Sequence, residues 1–141
     1  MRRSSVLFLS RTALLALALV GPACDNGPGA ATPPTPVFVT ETFTGTVELN
    51  GAISHGFAVS SGGPTTAEIT ALDPAGAFIG FQLGTWSGVV CTAVLSNDAG
   101  TLASVLKANT QSAASLCVRM HDPNGTLTAN PVTYSVKVLH P

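Results

Sequence analysis

Charged side chains are scarce in this sequence, because Asp, Glu, Lys and Arg together make up only 9% of its 141 residues. Disordered chains typically combine a high net charge with low hydrophobicity. This chain has a formal net charge of −1 and 45% hydrophobic residues, which excludes it from that class. We therefore expect it to fold, and its length leaves room for about one domain.

The sequence also has little that could cross a membrane as a helix, which takes a run of about 20 apolar residues. Its apolar run Ala13–Val20 is much shorter; three arginines precede it and small residues follow it at Gly21 and Ala23. This order of basic, apolar and small residues is typical of a secretory signal. We predict a signal peptide over residues 1–23.

Basic residues are few beyond that segment. From Cys24 onward only Lys107, Arg119 and Lys137 are basic, against all seven acidic residues of the chain, a net charge of −4. Binding to nucleic acid depends on lysine and arginine side chains that neutralise phosphates. We expect no nucleic-acid partner.

Cysteine occurs only three times, and Cys24 stands apart from the other two. Gly21, Pro22 and Ala23 in front of it resemble the end of a bacterial lipoprotein signal, in which the cysteine becomes the first residue of the mature chain. The resemblance implies that Cys24 is lipidated, and two or more acyl chains would anchor the protein stably. The alternative is an ordinary signal-peptidase cut near Ala23, which leaves a soluble protein with a free thiol.

The segment after Cys24 lacks any apolar periodicity. Asp25–Pro36 contains four prolines, two glycines and two threonines. Proline-rich chain stays extended at about 3.1 Å per residue, so a dozen residues reach about 35 Å. We interpret residues 24–36 as a tether between the anchor and a domain that spans residues 37–141.

Apolar residues of the domain recur at every second position in short bursts, and turn residues separate the bursts. Asn50-Gly51 predicts a two-residue hairpin, SNDAG at 96–100 predicts a loop, and 102–106 is the one place where a helical turn could occur. About eight short strands at turn-to-turn intervals predict an all-β fold, a single antiparallel two-sheet β-sandwich.

The domain resembles the pre-peptidase C-terminal (PPC-like) β-sandwich domains of secreted bacterial proteins. The resemblance lies in FTGTV at 43–47 with FAV at 57–59, in LCVRMHD at 116–122 with Gly125, and in VTYSV at 132–136 with the final His140-Pro141. It implies a jelly-roll or PPC-like sandwich. Such domains serve as accessory or binding modules, and the clustered acidic residues of calcium-binding members are not present here.

Cys91 and Cys117 are the remaining pair of cysteines, and in an exported domain the expectation is a disulfide. Alternation places Cys117 on the same strand face as Arg119 and His121, opposite Leu116, Val118 and Met120. We therefore predict a bridge at the outer surface or at a sheet edge. The sequence lacks the Cys-x-x-Cys spacing that would suggest a redox role.

Catalytic and metal-binding patterns are missing. GTWSG at 84–88 is not a nucleophile elbow, because its serine is one position late for G-x-S-x-G. His55, His121 and His140 are widely spaced, and we expect each to be a solvated surface residue rather than a metal ligand. We predict no cofactor and no catalytic residue.

Aromatic residues are only 6% of the chain, and Trp86 is the single tryptophan. Trp86 and Phe78 are the candidate ligand-binding residues if both are exposed; otherwise Trp86 covers one end of the core. The leading hypothesis is a non-catalytic envelope lipoprotein in the periplasm or on the cell surface, anchored to the membrane and binding a glycan or an envelope protein. A carbohydrate-binding module that uses Trp86 is the second hypothesis, and an unrecognised secreted hydrolase is the third.

Overall fold

The structure, a computed structural model, describes residues 35–127 and 129–141. The predicted signal peptide, Cys24 and the tether up to residue 34 lie outside these residues. The described residues belong to one compact unit. Within the described part of the chain no helix is long and apolar enough to span a membrane.

The fold is an antiparallel two-sheet β-sandwich, as the strand pattern predicted. Its strands are β1 Val39–Val47, β2 Ala52–Val59, β3 Gly63–Asp73, β4 Ile79–Trp86, β5 Cys91–Gly100, β6 Val105–Thr110, β7 Ala114–His121 and β8 Val132–His140. The first sheet has the order β1-β8-β3-β6 and the second has the order β2-β7-β4-β5. All neighbouring strands are antiparallel.

Alternation of side chains along each strand builds the core between the sheets. In β8, for example, Val132, Tyr134, Val136 and Val138 are buried, whereas Thr133 and Lys137 are exposed. Phe81, at the middle of β4, is the largest of the fully buried side chains. The inner faces of both sheets therefore share one hydrophobic cluster.

The hairpin predicted at Asn50-Gly51 is wrong, although the turn is present. Asn50 has a positive φ of 59° and the Gly51 N–H donates to the Glu48 carbonyl at 2.8 Å. The turn carries the chain from β1 in one sheet to β2 in the other, where β1 pairs with β8 and β2 pairs with β7. Turn residues encode a reversal of direction, but burial of the apolar faces decides which strands pair.

Two further local predictions are wrong near the edge of the second sheet. The predicted loop at 96–100 is the second half of β5, because an edge strand with one face in solvent tolerates polar residues. The helical turn considered at 102–106 is a tight turn followed by β6. There Ala103 has a φ of 67° and the Thr101 N–H donates to Ser104 Oγ at 2.9 Å.

The two ends of the sandwich, called the terminal end and the acidic end, differ in the charge of their loops. The terminal end holds residues 35–38, the loops 60–62, 87–90 and 111–113, and Pro141. The acidic end holds the connections 48–51, 74–78, 101–104 and 122–131. At the acidic end the Asp122 carboxylate accepts backbone N–H bonds from Asn50, Thr126 and Leu127 at 2.7, 2.8 and 3.0 Å, which ties two connections together.

Candidate functional site

The candidate site is the outer face of the second sheet, where the chemically distinctive side chains of β4, β5 and β7 meet. Cys117, Arg119 and His121 alternate along β7 and point away from the core, as parity predicted. Pairing places Gly56 and Gly84 on either side of Cys117, and Gly80 beside His121. Glycine at these positions leaves room for larger groups to lie flat on the sheet.

Trp86 lies on this outer face and not in the core. It is the last residue of β4, and its indole reaches across β7 to β2, where a Cβ on Gly56 would come within 2.5 Å of the indole Nε1. The side chain is half-buried. One face of the ring therefore rests on backbone, which leaves the ring partly open to solvent.

The predicted disulfide between Cys91 and Cys117 is confirmed, with an S–S distance of 2.05 Å and a Cα–Cα distance of 5.7 Å. It lies on the outer face beside Trp86, since Trp86 pairs with Cys91 across the β4–β5 hairpin. The start of β5 passes close over β4 at Gly84, where a Cβ would collide with the Thr92 carbonyl. This close passage brings Cys91 within reach of β7.

A row of polar side chains crosses the sheet next to the disulfide. Register aligns Ser54, Arg119, Gln82 and Ser96 from β2 to β5. Arg119 Nη1 donates to Gln82 Oε1 at 3.0 Å, and Gln82 Nε2 donates to Ser96 Oγ at 3.4 Å. The face thus combines an aromatic ring with a hydrogen-bonding row that holds the guanidinium in place.

His121 lies one row further along, above Gly80, with its Nε2 3.6 Å from Asp98 Oδ1. Burial lowers the pKa of His121, and the neighbouring Arg119 charge lowers it further, while Asp98 and Asp122 act in the opposite direction. Ser96 Oγ donates to Asp98 Oδ1 at 2.8 Å. The hydroxyl therefore bonds the carboxylate and not the imidazole, which is not the order that activates a serine nucleophile.

Ser87, the serine of the GTWSG segment, belongs to the β4–β5 turn. Its N–H donates to the Val90 carbonyl at 3.1 Å, and the Val90 N–H donates to Ser87 Oγ at 3.0 Å. Gly88 supplies the positive φ of 94° that the turn needs. The segment is a hairpin turn and not a strand-to-helix elbow.

Phe78, the second aromatic residue singled out from the sequence, does not join Trp86. It precedes the first residue of β4, whereas Trp86 is the last residue of that strand. Eight steps of about 3.3 Å separate them by about 26 Å. The structure therefore places one aromatic residue, and not a pair, at the candidate site.

The prediction that all three histidines are solvated surface residues is wrong, because the His121 side chain is only 13% exposed and His140 and His55 are covered as well. His140 is 2% exposed, and its Nε2 lies 3.0 Å from Glu41 Oε1. His55 is half-buried and stacks on Phe43 at 5.0 Å, with its Nε2 2.8 Å from Tyr134 Oη. Both histidines alternate in phase with buried valines and phenylalanines, a parity signal that was available in the sequence.

These two histidine contacts close the β1–β2 edge of the sandwich, whereas the opposite edge is open. A cavity of about 180 Å³ lies between the edge strands β5 and β6, lined by Leu83, Gly84, Thr85, Val94, Leu95, Ala108, Asn109, Thr110 and Leu116. No ionisable side chain lines it. Among residues 35–127 and 129–141, no three His, Cys, Asp or Glu side chains come together as a metal site.

The His55 contact predicts a pH dependence of stability. Burial lowers the pKa of His55 below its ordinary value of 6.5, so the unfolded chain takes up a proton at a higher pH than the folded protein does. The contribution of neutral His55 to the free energy of unfolding is therefore fully present above about pH 6.5. It is lost as the pH falls toward the lower pKa that His55 has in the folded protein. Urea unfolding measured from about pH 8 to pH 5 should show this loss. In His55→Gln the free energy of unfolding should fall less steeply with decreasing pH.

His121→Gln is the matched comparison, since burial also lowers the pKa of that histidine. Each single variant should remove part of the pH dependence of the free energy of unfolding. A midpoint that stays constant or rises on acidification over this range would contradict the assignment.

Comparison with known proteins bears on the class of fold. No family model matches the chain, and no curated protein matches it. Among solved structures, the sandwich is similar to the Yersinia pseudotuberculosis-derived mitogen, with a TM-score of 0.53 at 18% identity over 74% of this chain and 88% of that chain. It is also similar to Aeromonas hydrophila PliG, a periplasmic inhibitor of g-type lysozyme, with a TM-score of 0.52 at 12% identity over 70% of this chain and 83% of that chain.

Identities this low show a shared β-sandwich fold and nothing about a shared ligand. The site must therefore be judged from its own residues.

Proposed function

We propose that this protein is a non-catalytic binding module of a bacterial cell envelope, held to the membrane by a lipid on Cys24. The outer face of the second sheet is its binding surface. The observation that carries the proposal is the half-buried Trp86 ring on Gly56, beside the ordered Arg119–Gln82–Ser96 row. Rigid aromatic and arginine side chains are the groups most often found at the centre of binding surfaces.

Two observations support an address outside the cytoplasm. The Cys91–Cys117 disulfide fits an oxidising compartment, and one protein of the same fold is a periplasmic inhibitor. The lipid anchor itself rests on the sequence before Cys24. PPC-like membership likewise remains a proposal that the two-sheet architecture supports.

Site-specific photo-crosslinking in cells tests the proposed surface, together with the anchor. A photoreactive residue at Ala58, exposed on the outer face of β2, should capture an envelope component. The matched control is Thr133, exposed on the outer face of the other sheet, which should capture nothing. Intact mass of the membrane fraction should show acylated Cys24, and Cys24→Ser should release the protein from that fraction.

Equal crosslinking at both positions, or none at Ala58, would count against the proposed surface. An unmodified Cys24 would count against the anchor alone.

A carbohydrate-binding module is the second candidate, favoured by the single observation that a tryptophan ring lies next to hydrogen-bonding side chains. Sugar rings stack on aromatic faces and take their specificity from neighbouring polar groups. On an array of glycans that includes peptidoglycan fragments, we expect binding that Trp86→Ala weakens by about tenfold or more, equivalent to ~1.4 kcal/mol. Phe78→Ala, at the far end of β4, should leave binding unchanged.

The carbohydrate candidate fails if no glycan binds, or if Trp86→Ala binds as well as the original chain does. A serine hydrolase, one form of the third hypothesis, would need a Ser–His contact that the Ser96–Asp98–His121 arrangement does not contain.

A further inference from the structure

The loops at the terminal end carry no charged side chain. Residues 35–38, 60–62, 87–90 and 111–113 are all polar, apolar or glycine. At the acidic end, by contrast, Glu48 and Asp122 lie in the connections and Asp73 ends β3. The loops of the terminal end are therefore uncharged, and Glu41 near that end lies against His140, whereas the connections of the acidic end carry negative charge.

Large apolar side chains are exposed at the same neutral end. Val89 and Val90, in the β4–β5 turn, are 84% and 58% exposed. Val37 and Phe38, just before β1, are 78% and 45% exposed. A single exposed valine needs no explanation, and the acidic end also exposes Leu49 and Leu102. At the terminal end, however, the exposed apolar residues stand among loops that all lack a charged side chain, so an apolar phase can cover them without burying charge.

The course of the chain indicates which phase that is. Residues 35–38 enter β1 at the terminal end, so any anchor upstream is attached to the domain there. Asp25–Pro36 has a maximum reach of about 35 Å, so the terminal end is the part of the domain that can meet the membrane that Cys24 occupies. The negative charge at the opposite end would be repelled by anionic headgroups.

We propose that the terminal end lies on the lipid surface, with Val89 and Val90 in the membrane interface. This inference rests on the proposed anchor at Cys24. A few valines bind an interface weakly by themselves, but a tether that keeps them within about 35 Å of the surface makes their contact with it intramolecular and so raises its effective concentration. The strands then stand away from the membrane, and the outer face of the second sheet is open from the side.

Trp86 is a built-in reporter for this contact, because it is the only tryptophan of the chain and directly precedes the 87–90 turn. The chain from Cys24 to Pro141, with its disulfide formed, can be coupled through the Cys24 thiol to a maleimide lipid. The vesicles are phosphatidylcholine, part of it brominated near the top of the acyl chains. Bromine should quench Trp86 fluorescence, equally at low and high salt because no charge takes part.

The double substitution Val89→Asp with Val90→Asp should abolish the quenching. The matched control is Leu102→Asp at the acidic end, a residue 60% exposed, which should leave the quenching intact. Both valines are exposed, so a thermal melt by circular dichroism should show that the variant is folded.

Absence of quenching in the fully coupled original chain would overturn the proposal, as would equal quenching in the aspartate variant. A concentration-dependent dimer of the uncoupled chain that the same substitutions abolish would also overturn it, since a second copy would then cover these valines. Chemical coupling separates this test from the proposed function, because a failure of Cys24 acylation in cells would not alter its outcome.

Discussion

Replacing both Cys91 and Cys117 with serine is expected to lower the free energy of unfolding by about 3.5 kcal/mol. The bridge closes a loop between residues 26 positions apart, and the loss of that closure increases the entropy of the unfolded chain by about this amount. The native state is affected as well, because the disulfide ties the edge strand β5 to β7 in the middle of the sheet. For a domain of this size the midpoint of thermal unfolding should fall by about 15 °C.

Urea unfolding of the oxidised protein and of the double-serine variant measures this effect directly. Dithiothreitol should bring the original protein to the stability of the variant and should leave the variant unchanged. A difference below about 1 kcal/mol would show that the loop is already restricted in the unfolded chain.

Phe81→Ala is expected to have the second large effect, a loss of about 3–5 kcal/mol. Phe81 is fully buried near the centre of β4. It packs closely against Gly100 of the neighbouring strand β5, where an added Cβ would lie 3.2 Å from Phe81 Cβ. Both sheets contribute to the cluster around it, so truncation leaves a cavity that neither sheet can fill without moving.

Phe38→Ala is the matched control, because the same side chain is 45% exposed there. Its free energy of unfolding should change by no more than about 0.5 kcal/mol. Similar losses at the two positions would show that Phe81 does not occupy the core assigned to it.

Much of the fold could be predicted because alternation is a local property of a strand. The two-residue period placed Cys117 outside and Val118 inside, and the glycine-rich segment GTWSG at 84–88 predicted a break between two strands, although β4 continues to Trp86. The same period indicated that His55 and His140 face inward. They were nevertheless predicted to be solvated, because imidazole is polar. A buried histidine needs partners, and Tyr134 and Glu41 are 79 and 99 residues away in the chain.

Strand pairing could not be predicted, because it depends on contacts between distant residues. The Asn50-Gly51 turn was correctly placed, yet β1 and β2 belong to different sheets. In this sandwich only the β4–β5 connection joins neighbours of one sheet. Every other turn crosses between sheets, which a local turn signal does not distinguish from a hairpin.

At the candidate site, too, residue types could be predicted from the sequence, whereas their arrangement depends on contacts between distant strands. Trp86 could be identified as a candidate because tryptophan is common at binding sites. The disulfide could be predicted because an exported domain with two cysteines usually joins them. That Trp86 lies over Gly56, and that Arg119 and Gln82 align beside it, depends on the order β2-β7-β4-β5.

The amino-acid sequence by itself determined which faces of the strands are apolar and where the chain turns, because both follow from neighbours a few residues apart. It also indicated that Cys91 and Cys117 pair, because the domain was predicted to be exported. Tertiary structure alone decided which strands lie side by side, which end of the sandwich is neutral, and what surrounds the indole. Those features come from burying two sheets against each other, and the free energy of that burial belongs to the whole domain and not to any one segment.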